Sequence, residues 1–416
     1  MDKPKTLWKL VTERPAVYRI GLIFLLGEPF NMPKTALEGI TVLEFASYVS
    51  GPYAGMMLAD LGAEVIKIET PTGGDPFRGW GAADYSATFG SVNRNKKSII
   101  LDLKTEKGLE SALALAEEAD VLIENFRVGT MDRLGLGYEK LSSLNPDLIY
   151  CSVTAFGLSG PYASRPGYDT VGQAMGALLS VLTDLENPKP MGVSLSDHLT
   201  GIMAAYGILG AICARERTGE GQRVETSLLA STLAFLGENA ARYFEEGKVP
   251  KRKTRTQTAA VFAFVAGDEK PFVIHLSSPP KFWQGLCRVV GHEEWIDDAR
   301  FKTKADRRKN YDELEGLLSN IFKTQPRDHW LNALMSEDVP TGPIYSLDEA
   351  LKDPQVLHLD MIQEVPHPKV GSVKLVGGGI NLSKTPTNIH SPAPLHGQHT
   401  EEILARLENN RTRTQK

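Results

Sequence analysis

The chain has 416 residues, of which 42% are hydrophobic and 23% are charged, as is typical of a soluble globular protein with two domains or one large domain with an insertion. Its net charge of −5 argues against a general nucleic-acid-binding protein, so an anionic ligand would need a local group of basic residues. The three cysteines have no metal-site or disulfide spacing, and they favour a reducing, cytoplasmic location: Cys151, Cys213 and Cys287.

The first 31 residues differ in character from the rest of the chain. Their apolar run Ile20–Leu26 is too short to cross a membrane, and Asp2 and Glu13 are unusual for a mitochondrial presequence. Met32 begins what resembles a second start of the protein. We therefore expect residues 1–31 to be a disordered or mis-started leader, and we expect no membrane association.

Short apolar strands and helical stretches alternate from residue 40 onward. The predicted strands are Ile40–Phe45, Ala63–Glu69, Ser98–Leu103, Asp120–Phe126, Leu148–Val153 and Arg223–Leu228. This alternation predicts βαβ units and an open, parallel, Rossmann-like sheet of the α/β class. Such sheets bind ligands beyond the carboxyl ends of their strands, so the loops there are the places to search.

The pattern changes after residue 245. Ala259–Val265 and Pro271–His275 predict a hairpin, and helices are expected around Trp283 and from Leu314 to Phe322. A final helix is predicted from Thr400. We therefore expect a small α+β domain over 245–340 and a large discontinuous α/β domain made of 33–230 and 345–416.

Two aspartates, Asp169 and Asp197, each open a run of small and apolar residues with helical spacing. Tyr168 and His198 are their neighbours. An aspartate in this position most often caps a helix, because its oxygen accepts a hydrogen bond from an unpaired backbone N–H. The same position would also hold a nucleophilic carboxylate firmly. The residues alone leave both interpretations open.

No dinucleotide fingerprint or phosphate-binding loop is present, because Gly51–Gly55 has the wrong spacing and contains a proline. The nine scattered histidines argue against a metal site. Basic residues do occur near the ends of successive predicted strands: the run Asn93–Lys97, then Lys104, Arg127 and Arg133. They are either surface charge or an anion site suited to a ligand with several phosphates.

Several segments resemble the family III coenzyme A transferases of the CaiB/BaiF type, which include formyl-CoA:oxalate and carnitine CoA-transferases. These segments are Leu43–Phe45, Gly51–Gly55, Leu61–Glu69, Gly74–Trp80, Asn93–Ser98, Asp120–Phe126, Gly157–Pro161, Tyr168–Asp169, Gly219–Gln222 and Pro394–Thr400. The resemblance extends from Met32 to the tail. It is most specific in the first 200 residues and thinner in the small domain.

The resemblance implies that Asp197 is the nucleophile, because the transferases place their acyl-carrying carboxylate in the same aspartate-x-x-x-glycine run. An aspartate with a reference pKa of about 4 is ionised at neutral pH and needs no base. It would form a mixed anhydride with the acyl group and then an aspartyl-CoA thioester. CoA and acyl-CoA would be substrates, with no permanently bound cofactor and no metal.

The resemblance also implies the binding residues. Val49 and Ser50 are expected near the thiol end of CoA, and Trp80, Tyr168 and Asp169 at the acyl pocket. The residues expected along the nucleotide and pyrophosphate are Leu101, Lys104, Asn125, Phe126, Arg127 and Arg133. An interlocked homodimer, in which each chain is a ring threaded through its partner, is implied as well.

Two departures from formyl-CoA transferase argue against oxalate as the acceptor. That enzyme has a glutamine where this chain has Val49, and its four-glycine loop has no counterpart at Thr254–Ala260. The first alternative function is α-methylacyl-CoA racemisation. It is disfavoured because the residue before Asp169 is a tyrosine, whose reference pKa of about 10 makes it a poor base. The other alternative is a non-catalytic CoA-binding subunit.

Overall fold

A computed structural model describes residues 35–81, 85–277 and 279–414 of the chain. The proposed leader, 1–31, lies outside the described residues. The largest sheet has six strands: β1 (Thr41–Phe45), β2 (Glu64–Glu69), β3 (Lys96–Ile100), β4 (Val121–Glu124), β5 (Ile149–Thr154) and β6 (Arg223–Ser227). All are parallel, in the order β3-β2-β1-β4-β5-β6, which confirms the predicted open α/β sheet.

Helices cover both faces of this sheet. They are α1 (Ser50–Asp60), α2 (Ala87–Asn93), α3 (Glu106–Glu118), α4 (Thr130–Arg133), α5 (Tyr138–Leu144), α6 (Asp169–Met175), α7 (Leu178–Leu182), α8 (Leu195–Thr218) and α9 (Leu228–Phe235), with a 3-10 turn at Pro76–Trp80. Side chains alternate along each strand, so Leu43 packs in the core that includes α3, while Val42 packs in the core that includes α1 and α8. Burial of both faces explains why the central strands β1, β4 and β5 are rich in apolar residues.

The strand order reverses between β1 and β4, and their carboxyl ends are joined at that point. Asn125 follows β4, and its amide group makes two bonds to Ser47 after β1. The Ser47 N–H donates to Asn125 Oδ1 over 3.0 Å, and Asn125 Nδ2 donates to the Ser47 carbonyl over 2.7 Å. The reversal point is where open α/β sheets bind their ligands, so these two loops form the floor of the expected site.

A second, smaller sheet has its own hydrophobic core. It is antiparallel, in the order β7 (Val261–Val265), β8 (Pro271–His275) and β9 (Thr341–Pro343), and its first two strands form the predicted hairpin. Its core is rich in aromatic side chains, among them Phe262, Phe272 and Trp330. The helices in this part of the chain are α10 (Gly237–Glu246), α11 (Thr254–Ala259), α12 (Pro280–Val289), α13 (Lys304–Lys309), α14 (Tyr311–Phe322) and α15 (Arg327–Ser336).

The chain then returns to the large sheet. It passes through α16 (Leu347–Ala350), α17 (Pro354–His358) and the antiparallel pair β10 (Ile362–His367) and β11 (Gly371–Val376), and it ends in α18 (Thr400–Thr414). Thr400 Oγ1 accepts a hydrogen bond from the N–H of Ile100 over 3.0 Å, which ties the start of α18 to β3. The C-terminal segment therefore packs against the first half of the chain.

A cluster of buried charges supports the loops at the carboxyl ends of β1 and β2. Lys67 Nζ lies 2.8 Å from Glu44 Oε1 and 2.9 Å from Asp75 Oδ2, and Lys96 Nζ lies 2.7 Å from Glu44 Oε2. These side chains are fully buried. The pKa of Lys67 is raised, because the attraction of Glu44 and Asp75 outweighs the effect of burial. The opposite charges of the cluster thus lie in contact with one another, while burial lowers the pKa of Lys96 to about 8.

The predicted contribution of the run Asn93–Lys97 to an anion site is wrong. Arg94 is paired with Asp60 over 2.6 Å, and Lys96 is enclosed in the charge cluster described above. Lys97 is paired with Glu64 over 3.0 Å. The run lies at the amino end of β3, the opposite edge of a parallel sheet from the ligand edge. Charge in the sequence did not reveal that these cations already have internal partners.

Candidate active site

Asp197 lies in the first turn of α8, which begins at Leu195. Its side chain is half-buried. Ser50, in the first turn of α1, donates its hydroxyl hydrogen to Asp197 Oδ1 over 2.6 Å. The carboxylate therefore reaches another helix instead of capping its own. The helix-cap interpretation does not describe Asp197.

Asp169 caps α8 from outside that helix. Its Oδ1 accepts hydrogen bonds from the backbone N–H groups of Ser196, over 2.9 Å, and Asp197, over 3.2 Å. Its Oδ2 accepts one from Gln173 Nε2, whose other partner is the Val193 carbonyl over 3.0 Å. A carboxylate in this position satisfies unpaired N–H groups at the positive end of the helix. The two aspartates singled out in the sequence thus meet at one helix terminus, where Asp169 holds the backbone of Asp197.

Gly201 explains the spacing of the aspartate-x-x-x-glycine run. It lies one turn after Asp197, on the side of α8 that packs on α1. A Cβ atom there would lie 2.8 Å from the Ser50 carbonyl oxygen and 3.0 Å from Tyr53 Cδ1. Only glycine lets the two helix starts approach closely enough for the hydroxyl of Ser50 to reach Asp197.

Gly201→Ala is expected to push α8 away from α1 and lengthen the Ser50–Asp197 hydrogen bond. We expect a fall in enzymatic activity of at least about tenfold, because small displacements of a reacting group cost about 10²-fold. The control is Gly316→Ala in α14, where a Cβ atom likewise meets no other atom within 4 Å. That variant should gain up to about 1 kcal/mol of stability and keep its activity. Equal activity of the two variants would contradict the packing argument.

The environment of Asp197 disfavours its ionised form. Burial is the largest cause, and the negative charge of Asp169 adds to it, while the Ser50 hydrogen bond and His198 act in the opposite direction. Together they raise the pKa of Asp197 to about 6. A carboxylate with this pKa is still ionised at neutral pH, and it is a stronger nucleophile than a fully solvated one.

His198 is packed and not directed at a reacting group. Its Nδ1 lies 2.7 Å from the carbonyl oxygen of Ser194, and its ring meets the ring of Tyr53 edge to face, with centroids 4.7 Å apart.

Four aromatic rings form a row beside the carboxylate-bearing helix. The centroids of Trp80 and Phe77 are 4.9 Å apart, those of Phe77 and Tyr48 are 5.4 Å apart, and those of Tyr48 and Tyr168 are 5.8 Å apart. Trp80 and Tyr168, both predicted for the acyl pocket, are each 66% exposed and belong to this row. Tyr48 and Phe77 complete it and were missed in the sequence, although Phe77 lies in the resembling segment Gly74–Trp80 and Tyr48 lies between two such segments.

Tyr48 has a left-handed backbone with φ of 64°, which is uncommon for a residue other than glycine. Asp75 holds this conformation, since its Oδ1 accepts a hydrogen bond from the Tyr48 N–H over 3.2 Å. Because Asp75 is bound to Lys67, the buried charge cluster supports the loop that carries Val49 and Ser50. The side chain of Val49 is buried against Phe77.

The residues predicted for the nucleotide lie around the carboxyl ends of β3 and β4, with different exposures. Lys104, Arg127 and Arg133 are exposed, Asn125 and Phe126 are half-buried, and the side chain of Leu101 lies in the core. The predicted anion site also included the run Asn93–Lys97, which lies at the opposite edge of the sheet. Lys104, Arg127 and Arg133 are the basic residues of that prediction that do lie at the ligand edge.

A cavity of about 350 Å³ lies beside the carboxyl end of β4 and along β5 and β6, and Arg127, Arg223 and Glu124 are among the residues that line it. Burial raises the pKa of Glu124 to about 7. Across residues 35–81, 85–277 and 279–414, no group of three or more His, Cys, Asp or Glu side chains is placed to hold a metal ion.

The sequence matches CoA-transferase family III over residues 37–400. It is 37% identical to mouse succinyl-CoA:glutarate CoA-transferase over 375 residues, which cover 88% of this chain and 85% of that protein. It is 39% identical to acetyl-CoA:oxalate CoA-transferase from Acetobacter aceti over 356 residues, covering 84% and 90% of the two chains.

Solved structures agree with this relationship. The crystal structure of a CAIB/BAIF family protein from Brucella suis is similar with a TM-score of 0.79 and 36% sequence identity, covering 90% of this chain and 99% of that one. The Rv3272 protein from Mycobacterium tuberculosis is similar with a TM-score of 0.79 and 31% identity, covering 89% and 99%. With the fold and the match along the sequence in agreement, the chain belongs to CoA-transferase family III and is a transferase.

Proposed function

We propose that this protein transfers CoA from an acyl-CoA to a free carboxylic acid through covalent intermediates on Asp197. The observation that carries the proposal is the environment of its carboxylate. Oδ1 is held by Ser50, whereas no described residue donates a hydrogen bond to Oδ2. The carboxylate is fixed through one oxygen, and its other oxygen is left to react.

The chemistry balances without a proton donor or acceptor. Oδ2 attacks the thioester carbon, the carbon–sulfur bond breaks, and CoA leaves as a thiolate from a mixed anhydride. The thiolate attacks Cγ of Asp197 and displaces the first acid as a carboxylate. The acceptor carboxylate then displaces CoA from Cγ, and a final attack of the thiolate on the new anhydride yields the new acyl-CoA and free Asp197.

We further propose that the exposed cations Lys104, Arg127 and Arg133 bind the phosphates of CoA. Guanidinium and ammonium groups suit phosphate oxygens, and these three lie at the ligand edge of the sheet. Asn125 and Phe126 would lie between them and the reversal point of the strand order. The row of rings from Trp80 to Tyr168 would line the acyl pocket.

Small dicarboxylic acids are the first substrates to test, because the relatives named above act on succinyl, glutaryl or oxalyl groups. The experiment mixes the protein with one acyl-CoA and one free acid at a time and looks for the new acyl-CoA by mass spectrometry. Succinyl-CoA with glutarate is the first pair. CoA binding without exchange across such a panel would support a non-catalytic subunit instead.

Racemisation is not favoured, since the curated relatives named above are CoA-transferases and Tyr168 stands where a racemase needs a base. A racemase would exchange the α-proton of a 2-methylacyl-CoA with solvent. We expect no deuterium incorporation at that carbon in D₂O.

The transfer rate should depend on the ionisation of Asp197. Because the carboxylate is the nucleophile and its pKa is about 6, kcat/KM is expected to fall about tenfold per pH unit below 6 and to level off above pH 7. Asp169→Asn removes a negative charge that raises this pKa, so the acidic limb of the plot of kcat/KM against pH should move to lower pH. If kcat/KM of the wild-type protein fell only near pH 4, that result would contradict the environment described for Asp197.

We also propose that a second copy of the chain covers the apolar surface formed by α8, α9 and α10. Large apolar side chains are exposed there, among them Tyr206 at 74%, Phe235 at 59% and Phe244 at 81%. Large apolar side chains exposed on consecutive helices of the chain indicate an interaction surface. Sedimentation measures the oligomer directly, and a monomer at micromolar concentration would contradict the proposal.

A membrane is the other partner that such a surface could suggest. One helix in the described part of the chain, α8, is long and apolar enough to span one, with a hydropathy of 1.3 and 33% of the segment buried. A single helix of this kind is weak evidence, because core helices pass the same criterion. We propose a cytoplasmic location, which the three free cysteines support.

A further inference from the structure

Ser50 is the only described residue whose side chain donates a hydrogen bond to the carboxylate of Asp197. Its hydroxyl is 2.6 Å from Oδ1, and the residue is 6% exposed. It lies in the first turn of α1, whose N-terminus has no side-chain cap. The helix dipole is positive at this end. Oδ1 therefore faces a hydrogen-bond donor and a partial positive charge, and Oδ2 does not.

This asymmetry has a consequence for the covalent intermediates, and it rests on the proposed function. Once Oδ2 has attacked the donor, Oδ2 bridges the two acyl groups of the anhydride and Oδ1 is the carbonyl oxygen of the aspartyl group. When the CoA thiolate forms its bond to Cγ, the π-electron pair of that carbonyl moves onto Oδ1. The pair returns as the Cγ–Oδ2 bond breaks and the first carboxylate leaves.

The same charge appears on Oδ1 in the next step. The acceptor carboxylate attacks Cγ of the aspartyl-CoA thioester, the electron pair moves onto Oδ1 again, and the thiolate leaves as the carbonyl re-forms. By contrast, attack on the donor thioester places the negative charge on the donor's own acyl oxygen. Ser50 is thus placed to act on two of the four steps of a turnover, those at Cγ.

We propose that the Ser50 hydroxyl is the oxyanion donor for the steps at Cγ of Asp197. A donor already in place at 2.6 Å stabilises the developing charge without reorganisation. Gly201 and the cap supplied by Asp169 then act as positioning residues, since they set the approach of the two helices. Ser50 would be a catalytic residue, beyond the contact with the thiol end of CoA expected from the sequence.

The test isolates one step at Cγ. The full-length protein is incubated with succinyl-CoA to form the Asp197–CoA thioester, desalted, and mixed with glutarate. This step and the donor step are both measured at about two pH units above the pKa of free Asp197, where the carboxylate that attacks the donor is ionised in all variants. Rapid quenching and mass spectrometry follow the loss of CoA from the protein. We expect Ser50→Ala to slow this step by about 10²-fold, the usual effect of losing an oxyanion donor.

Two controls accompany this variant. Ser50→Thr keeps a hydroxyl and should restore most of the rate. Ser111→Ala makes the same chemical change at an exposed helical serine that bonds only to its own helix, at the Lys107 carbonyl, and should match wild type. Attack on succinyl-CoA, measured in a single turnover as the initial loss of succinyl-CoA, should change little in Ser50→Ala at this pH.

A second readout is the acidic limb of the pH profile. Because the Ser50 hydrogen bond lowers the pKa of Asp197, the limb should move to higher pH in Ser50→Ala. Discharge of the thioester at the wild-type rate in Ser50→Ala would overturn the proposal, and so would equal slowing of the donor step and the Cγ step. If wild-type protein forms no thioester at all, the proposed function itself fails. That result differs from a failure of Ser50 alone.

Discussion

Asp197→Asn is expected to abolish CoA transfer while leaving CoA binding intact. The amide keeps the shape of the side chain but lacks the charge and the nucleophilic oxygen, and loss of a nucleophile typically lowers kcat by about 10⁴-fold or more. The measurement pairs acyl-CoA exchange with calorimetric titration of CoA. The control is Asp312→Asn, at an aspartate whose side chain is 73% exposed on α14.

The same variant should be more stable than wild type at high pH. The pKa of Asp197 is about 6 in the folded protein, against an ordinary value of 3.8. Ionisation of Asp197 therefore costs more free energy in the folded protein than in the unfolded chain, which lowers the free energy of unfolding. This cost is absent below pH 4, grows between pH 4 and 6, and is complete above. We expect the free energy of unfolding of Asp197→Asn to exceed that of wild type by about 1–2 kcal/mol at pH 8, after allowance for partial solvation of the carboxylate. At pH 4 we expect no difference.

If Asp197→Asn still exchanges CoA, the covalent proposal is wrong. If its stability relative to wild type does not depend on pH, the carboxylate is better solvated than its contacts indicate. The two measurements are independent, since one concerns the reaction and the other concerns only the folded state.

Lys67→Met is expected to have the largest effect on stability. Lys67 is fully buried and binds Glu44 and Asp75 as well as the Ala46 carbonyl, 2.7 Å away. Removing one partner of a buried ion pair costs about 3–5 kcal/mol, because it leaves the opposite charge buried and uncompensated. Here one cation serves two carboxylates. We therefore expect the free energy of unfolding, measured with urea, to fall by an amount at the upper end of that range.

The control for this variant is Arg406→Met. Arg406 pairs with Glu64 over 2.9 Å, and the two side chains are 44% and 28% exposed. Exposed pairs contribute about 0–1 kcal/mol, so this variant should unfold close to wild type. Similar losses of unfolding free energy in both variants would show that water already reaches the buried charge cluster around Lys67. Lys67→Met should also lower activity, because Asp75 supports the backbone of Tyr48 beside the site.

The order and type of the secondary-structure elements could be predicted from the sequence, because they follow from local periodicity. Continuous apolar runs indicated parallel strands buried on both faces, and the six strands formed within a few residues of their predicted positions. The same local signals placed Asp169 and Asp197 at helix starts. The family of the protein could also be identified from short motifs.

Charge was less reliable as a guide. The run Asn93–Lys97 indicated an anion site, but Arg94 and Lys96 neutralise carboxylates more than 30 residues away in the chain. A sequence shows that a cation is present and does not show whether the fold has already paired it. For this reason, only the cations at the opposite edge of the sheet remain as candidates.

The relation between Ser50 and Asp197 could only come from the tertiary structure. They are separated by 147 residues, and their hydrogen bond exists because Gly201 lets two helix starts approach. The same packing makes Asp169 the cap of a helix to which it does not belong. Local sequence determined which residues begin helices in this protein. Long-range packing, which no local pattern encodes, decided that Asp169 became a cap and that Asp197 kept a carboxylate oxygen without a hydrogen-bond donor among the described residues.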